Sequence, residues 1–168
     1  MSRAYPPAAD PKLGHDEPVT EVARASGVEI EAALRVWQRA NTARGKTPTE
    51  PRIARVREKL ADPEALIMVA RKENAVVAMA LAEPGWEAAD LCHLSMLFVD
   101  PDRWGTGIGR QLLDAVVEAA ALQGRPRVQV WTGSANHRAK NLYLSAGFAP
   151  TGEVKRLAEG EEILHLVR

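Results

Sequence analysis

"VDPDRWGTGIGRQLL", residues 99–113, is the stretch on which the reading of this chain turns. Three glycines, Gly105, Gly107 and Gly109, stand between an apolar run that ends at Val99 and a run of helical spacing that begins near Ile108. A strand that breaks into glycines and restarts as a helix leaves free backbone N–H groups at the helix start. The helix dipole adds partial positive charge there, and glycine removes the Cβ that would hold an anion away. The loop reads as a phosphate cradle; the alternative is a tight turn that uses glycine for helix–sheet packing. Its G-x-G-x-G spacing departs from the dinucleotide fingerprint G-x-G-x-x-G. No G-x-x-x-x-G-K-[ST] is present, so the two commonest nucleotide loops are excluded. Trp104, directly before the first glycine, has no place in a generic phosphate loop.

The pattern extends outward on both sides of this loop. "LCHLSMLFV" (91–99) is nearly continuous in apolar residues and predicts a central strand buried on both faces. "ALIMVAR" (65–71) and "AVVAMALAE" (75–83) read as a hairpin around the turn "KEN". Further upstream, "VTEVARA" (19–25) reads as a first strand. A helix follows from Val28 to about Thr42, with Ser26 as cap and Ile30, Leu34 and Trp37 on one face. Thr49 caps a second helix with Pro51 just inside its start. Downstream, the helix 107–123 turns Ile108, Leu112, Leu113, Val116 and Ala120 inward and stops at Gly124. "RVQVW" (127–131), a helix over 134–146 and two closing strands in "TGEVKRL" and "EEILHLVR" complete the chain. The unit 91–131 is a right-handed strand–helix–strand crossover with parallel strands. The fold class is therefore α/β (α+β), a mixed sheet with helices on both faces.

A length of 168 residues predicts one domain, 19–168, behind a proline-rich flexible tail, 1–18. Lys plus Arg (22) equals Asp plus Glu (22), which argues against nucleic acid as the main ligand. The single cysteine, Cys92, lies in an apolar run and reads as a core residue, so no disulfide is expected. No apolar stretch reaches the ~20 residues of a membrane span, and no apolar leader precedes the tail, so a cytoplasmic protein without a membrane partner is expected. His15, His93, His137 and His165 are scattered without a metal-ligand spacing, so no metal site is expected.

A second motif follows the loop. "NHRAKNLYLSAGF" (136–148) has the form N-x-x-A-x-x-L-Y-x-x-x-G-F. With V-x-P-x-x-W-G-x-G-I-G-x-x-L-L upstream, it resembles the GNAT superfamily of N-acetyltransferases over residues 66–150; the N-terminal helices fit more loosely. The resemblance implies a mostly antiparallel sheet whose central parallel pair, 91–99 and 127–131, splays to admit acetyl-CoA as cosubstrate. It places the pantetheine arm on Leu97, Phe98 and Val99. It places the pyrophosphate on the N–H groups of Gly105, Thr106, Gly107, Ile108, Gly109 and Arg110. Asn136 would hydrogen-bond the pantetheine, and Tyr143 would touch the cofactor as general acid for the departing thiolate. A backbone N–H near Leu97 would stabilise the oxyanion. Read by spacing alone, Asn136 is a helix-start residue, Tyr143 a core aromatic, and the Arg110 side chain a solvated helix group.

The chain departs from the family in two places. The family most often carries Arg or Gln where Trp104 stands, so backbone groups should do most of the holding, with Arg103 as a substitute charge. Some members carry a Glu five residues before the motif's Asn; here that residue is Trp131, read as a wall or core residue. The candidate bases are then His93 and Glu83. Strand alternation puts His93, Ser95, Leu97 and Val99 on one face. The acceptor would be a primary amine of a small molecule or peptide, met by loops 42–50 and 84–90 and the last strands, with Trp37 and Trp86 as packing residues. Many members dimerise, so the resemblance allows a homodimer, although the sequence shows no interface for one. The competing readings are a non-catalytic acyl-CoA-binding module on the same fold, and an unrelated nucleotide-binding protein.

Overall fold

The computed structural model describes residues 19–168; the tail 1–18 and His15 lie outside the described residues. Seven strands and four α-helices follow in chain order: β1 (Glu21–Arg24), α1 (Ile30–Ala43), α2 (Glu50–Leu60), β2 (Leu66–Lys72), β3 (Ala75–Pro84), β4 (Leu91–Val99), α3 (Ile108–Leu122), β5 (Arg127–Gly133), α4 (His137–Ser145), β6 (Ala149–Arg156) and β7 (Glu162–Val167). The strands form one sheet in the order β1-β2-β3-β4-β5-β7-β6, antiparallel except for β4 with β5. The hairpin between β2 and β3 turns on Glu73 and Asn74, both at positive φ (53° and 64°), the geometry of a two-residue turn matched to strand twist. Thr49 stands in extended conformation before α2, but its hydroxyl makes no cap bond. Its carbonyl accepts the Ile53 N–H at 2.9 Å instead.

Helices cover both faces. On one, Ile108, Leu112, Leu113 and Val116 of α3, Tyr143 of α4 and Ala146 just after it bury against Met68, Ala80, Leu94, Val128 and Val130. The fully buried alanines Ala70, Ala78, Ala80 and Ala82 give α3 a shallow bed on the central strands. On the other face, Leu34, Trp37, Ile53, Val56 and Leu60 of α1 and α2 meet Val69, Met79 and Leu81. This second cluster holds no residue of β5, β6 or β7, so those strands keep that face open.

Two features of β4 position the site. The first is its parting from β5. The parallel ladder runs only from Leu91↔Arg127 to Leu94↔Val130, while β4 continues to Val99 and β5 to Gly133. β4 is therefore sealed only at Leu91, Cys92 and Leu94; Ser95 to Val99 are half-buried, which corrects the expectation of a strand buried throughout. The second is a bulge. Leu81 opposes Met96 but Ala82 opposes Leu94, leaving Ser95 unopposed. One inserted residue resets the alternation of everything after it. Leu94, Leu97 and Val99 face α3, whereas Met96 and Phe98 pack on the α1–α2 side. His93 and Ser95 thus do not share a face with Leu97 and Val99, contrary to the parity of the sequence.

Candidate active site

On the α3–α4 side, the free end of β4, the glycine loop and the starts of both helices enclose a cavity of about 450 Å³. Gly105 and Gly107 have φ of +76° and +84°, a left-handed backbone that side chains rarely adopt, and nothing lies within 4 Å of a Cβ placed on either. Their role is conformational. A Cβ on Gly109 would sit 3.5 Å from Leu142 and Val99, an ordinary contact. Among the described residues, no N–H from Gly105 to Arg110 donates to a protein acceptor; Gln111 is the first to close a helical turn, onto the Gly107 carbonyl at 3.2 Å. Six consecutive free donors at a helix start fit a pyrophosphate.

Side chains brace this loop. The buried Asp100 carboxylate accepts from Asp102 N–H at 3.2 Å and from Arg39 of α1 at 2.9 Å. Thr106 Oγ1 donates to the Arg103 carbonyl at 2.6 Å. The Arg110 side chain turns away from the loop, to Asp114 at 3.0 Å and the Ser145 carbonyl at 2.9 Å. Trp104 has a definite job: its Nε1–H donates to the Val99 carbonyl at 2.9 Å, pinning the loop to the end of β4. Its ring carries the Arg138 guanidinium 3.9 Å from the ring centroid. Arg138 and Arg103 both line the cavity. Arg138 lies inside the second motif at a variable position, and only the facing indole reveals it.

Leu97, Phe98, Val99, Asn136 and Tyr143 meet the same cavity. Asn136 caps α4, its Oδ1 accepting from Ala139 N–H at 3.3 Å, which leaves the amide Nδ2 as a donor. Tyr143 is 5% exposed and packs on Phe148, with ring centroids 5.5 Å apart. Burial pushes its phenol well above the ordinary value; Arg44, at the end of α1, opposes this. The phenol is therefore protonated across the neutral range.

The other face of β4 carries a second cavity of about 240 Å³, bounded by Trp86, His93, Ser95, Trp131, Lys155 and Ile163. His93 and Glu83, the two candidate bases of the sequence, are directly opposed across β3 and β4. Their states differ. The Glu83 carboxylate accepts from Lys59 at 2.7 and 2.9 Å and from the Ser95 hydroxyl. Burial raises its pKa, but these bonds outweigh that and hold it below the usual range. His93 Nδ1 is sealed from solvent with no partner among the described residues. Burial lowers the imidazole pKa, Lys59 adds to this, and Glu83 opposes it, so the ring is neutral near pH 7.

The two tryptophans expected to pack behave differently. Trp37 is buried between α1 and the sheet, but Trp86 is 73% exposed and stands against His93 at 5.3 Å. Trp131, as the sequence suggested, is a wall. It stacks on His165 at 4.7 Å and 26°. His165 Nε2 in turn meets Gln129 Oε1 at 2.8 Å and its Nδ1 meets Thr151 Oγ1 at 2.9 Å; the Gln129 amide donates to Glu87 at 3.0 Å. Sequence reasoning missed Gln129, His165 and Glu87, because Gln129 and His165 meet only through the β5–β7 register and Glu87 reaches Gln129 from the loop between β3 and β4. Among the described residues no cluster of three metal-ligating side chains occurs, and no helix is long and apolar enough to cross a membrane.

The profile of the Acetyltransferase (GNAT) family matches residues 30–148. The chain is 34% identical over 99 residues to an uncharacterized N-acetyltransferase of Mycobacterium bovis, covering 59% of this chain and 62% of that protein. It is 36% identical over 69 residues to one of Methanocaldococcus jannaschii, covering 41% of this chain and 30% of that protein. The match thus spans less than two thirds of either relative. The crystal structure of the ribosomal-protein-S18-alanine N-acetyltransferase from Escherichia coli superposes with a TM-score of 0.74 at 20% identity, over 89% of this chain and 92% of that one. The paia N-acetyltransferase from Thermoplasma acidophilum, in complex with coenzyme A, does so with 0.66 at 16% identity, over 88% and 98%. These likenesses carry the fold. The profile carries the family, since it takes in both motifs and the strand pair that parts between them: this chain belongs to the GNAT acetyltransferase family.

Proposed function

We propose that this chain transfers the acetyl group of acetyl-CoA to a primary amine, of a small molecule or a peptide, by direct attack in a ternary complex. The observation that carries the reading is the parting of β4 from β5 beyond Leu94↔Val130, with an anion-ready cavity on one side and a histidine-bearing cavity on the other. Acetyl-CoA, when bound, supplies the activated thioester. The free N–H groups from Gly105 to Arg110 hold the pyrophosphate, and Arg138 and Arg103 add positive charge beside it. Leu97, Phe98 and Asn136 align the pantetheine; the Val99 carbonyl is already taken by Trp104. The edge of β4 that β5 has left offers backbone N–H to the thioester oxygen. Tyr143 keeps its proton and delivers it to the leaving sulfur. His93 takes the proton of the amine. Its Nδ1 is sealed, so Nε2 is the exchanging nitrogen. Glu83, bound by Lys59 and Ser95, positions that region of β4 instead of accepting the proton itself. Much of the rate comes from holding amine and thioester together.

Calorimetry with acetyl-CoA, followed by thiol release against a panel of primary amines, tests the reading. Binding with amine-dependent thiol release is expected. Binding without release for any amine would reduce the chain to an acyl-CoA-binding module, and no binding would sink the assignment.

A further inference from the structure

Lys155, on the edge strand β6, is one of the residues that bound the second cavity. Its Nζ lies over the Trp131 ring, 4.0 Å from the centroid. Lys46 and Lys59, the other lysines near the site, are spoken for: they pair with Glu161 at 2.8 Å and Glu83 at 2.7 Å. Among the described residues Lys155 has no carboxylate partner, and the indole face is its whole anchorage. An alkylammonium thus already sits in the cavity where an acceptor amine has to enter, beside His93 and Ser95, at the level where β4 leaves β5. β6 is exposed along its entire length, and the register jump between Pro150 and Val154 loosens its pairing with β7, so the lysine's four-carbon stem is free to swing from the indole.

We propose that Lys155 is an acetyl acceptor of its own enzyme, an intramolecular self-acetylation site; this rests on the acetyltransferase reading above. The Lys155 ammonium gives a proton to His93, and the freed Nζ lone pair attacks the thioester carbon. The N–C bond forms and the C–S bond breaks. The electron pair leaves on sulfur, which takes its proton from Tyr143, and the second Nζ proton passes to solvent. The product is a neutral amide, which no longer binds the Trp131 face as a cation, so the modification opens the cavity's aromatic wall to an incoming amine.

The test uses the full chain with acetyl-CoA and no added amine, with acetylated peptides followed by mass spectrometry over time. Lys155 is expected to be labelled at least about tenfold faster than Lys72 and Lys140, which lie outside the cavity, as an intramolecular reaction should be. The labelling rate constant should not change with protein concentration. Tyr143→Phe should slow labelling at Lys155 and leave the slow background at Lys72 unchanged. Lys155→Arg keeps a cation over the indole but removes the nucleophile, so thiol release without added amine should fall to the slow background. Labelling of Lys155 no faster than Lys72, a rate constant rising with protein concentration, or indifference to Tyr143→Phe would overturn the proposal. Amine-dependent thiol release with Lys155 unlabelled would overturn this proposal alone. Failure to bind acetyl-CoA would overturn it together with the acetyltransferase reading.

Discussion

The two sides of β4 are built by different means. The side proposed for the cofactor is made mostly from one run of chain, β4 through α4, joined by Ala40 and Arg44 at the C-terminal end of α1, and its proposed ligands are backbone N–H groups that every sequence possesses and that Gly105 and Gly107 expose. The side proposed for the acceptor is assembled from side chains on β4, β5, β6, β7 and the loop after β3, far apart in sequence. A backbone site tolerates change in side chains but not in conformation. A side-chain site behaves the opposite way. That contrast predicts where mutations act: on the acceptor side and at the proton donor they should reach turnover, and around the cradle they should reach only affinity, and modestly.

The largest expected effect is that of Tyr143→Phe. The substitution keeps the ring that packs on Phe148 and Ala146 and removes only the hydroxyl. A lost general acid costs ~10²–10⁴-fold in rate, so kcat should fall by about 10³-fold, with the Kd of acetyl-CoA nearly unchanged by calorimetry. Equal losses in both would blur the contrast, because the phenol would then be a binding group like the rest of the cavity.

Next comes the pair His93→Gln and Glu83→Gln. In the native enzyme kcat/KM should rise with pH through the His93 pKa, which burial places below 6.5. The sign follows from the base role: the neutral ring is active, and the imidazolium forming at lower pH is not. His93→Gln should cut kcat/KM by about 10²-fold and abolish that acidic limb. Glu83→Gln removes a charge that favours the imidazolium and leaves Lys59 unpaired, so the limb should move to still lower pH while turnover persists. The two candidates are thereby separated: a limb lost in Glu83→Gln and kept in His93→Gln would make the carboxylate the base.

The same contrast explains what could be read from the sequence. The glycine loop, Asn136 and Tyr143 lie close together along the chain, so spacing alone set them in order, and the resemblance gave them roles. The acceptor side depended on Ser95. An inserted residue in "HLSMLF" leaves no trace in an apolar run, since Leu94, Met96, Leu97 and Phe98 satisfy either alternation. Parity therefore pointed the wrong way. His165 and Gln129 meet across the β5–β7 register, 36 residues apart, and Lys155 lay in a strand read only as closing the sheet. Trp86 reads as a packing residue in the sequence because nothing local distinguishes a buried indole from an exposed one, and it is exposed.

The smallest expected effect tests the cradle itself. Arg138 of α4 brings its charge to the cradle by stacking on Trp104, the position where the resemblance leads one to expect Arg or Gln. It is exposed, so its attraction for a phosphate is screened; an exposed charge pair is worth about 0.2–1 kcal/mol. Arg138→Gln should therefore weaken acetyl-CoA binding only about two- to fivefold, and the difference from the native chain should fade as salt rises past ~0.15 M. Trp104→Phe keeps a ring under the guanidinium but removes the hydrogen bond to the Val99 carbonyl, so it loosens the loop without removing charge. Its cost should add to that of Arg138→Gln with little coupling if the two contacts act independently, which a double-mutant cycle reads directly. Loss of a hundredfold or more in Arg138→Gln alone would break the contrast between the two faces. A side chain, and not the six free N–H groups, would then be holding the pyrophosphate.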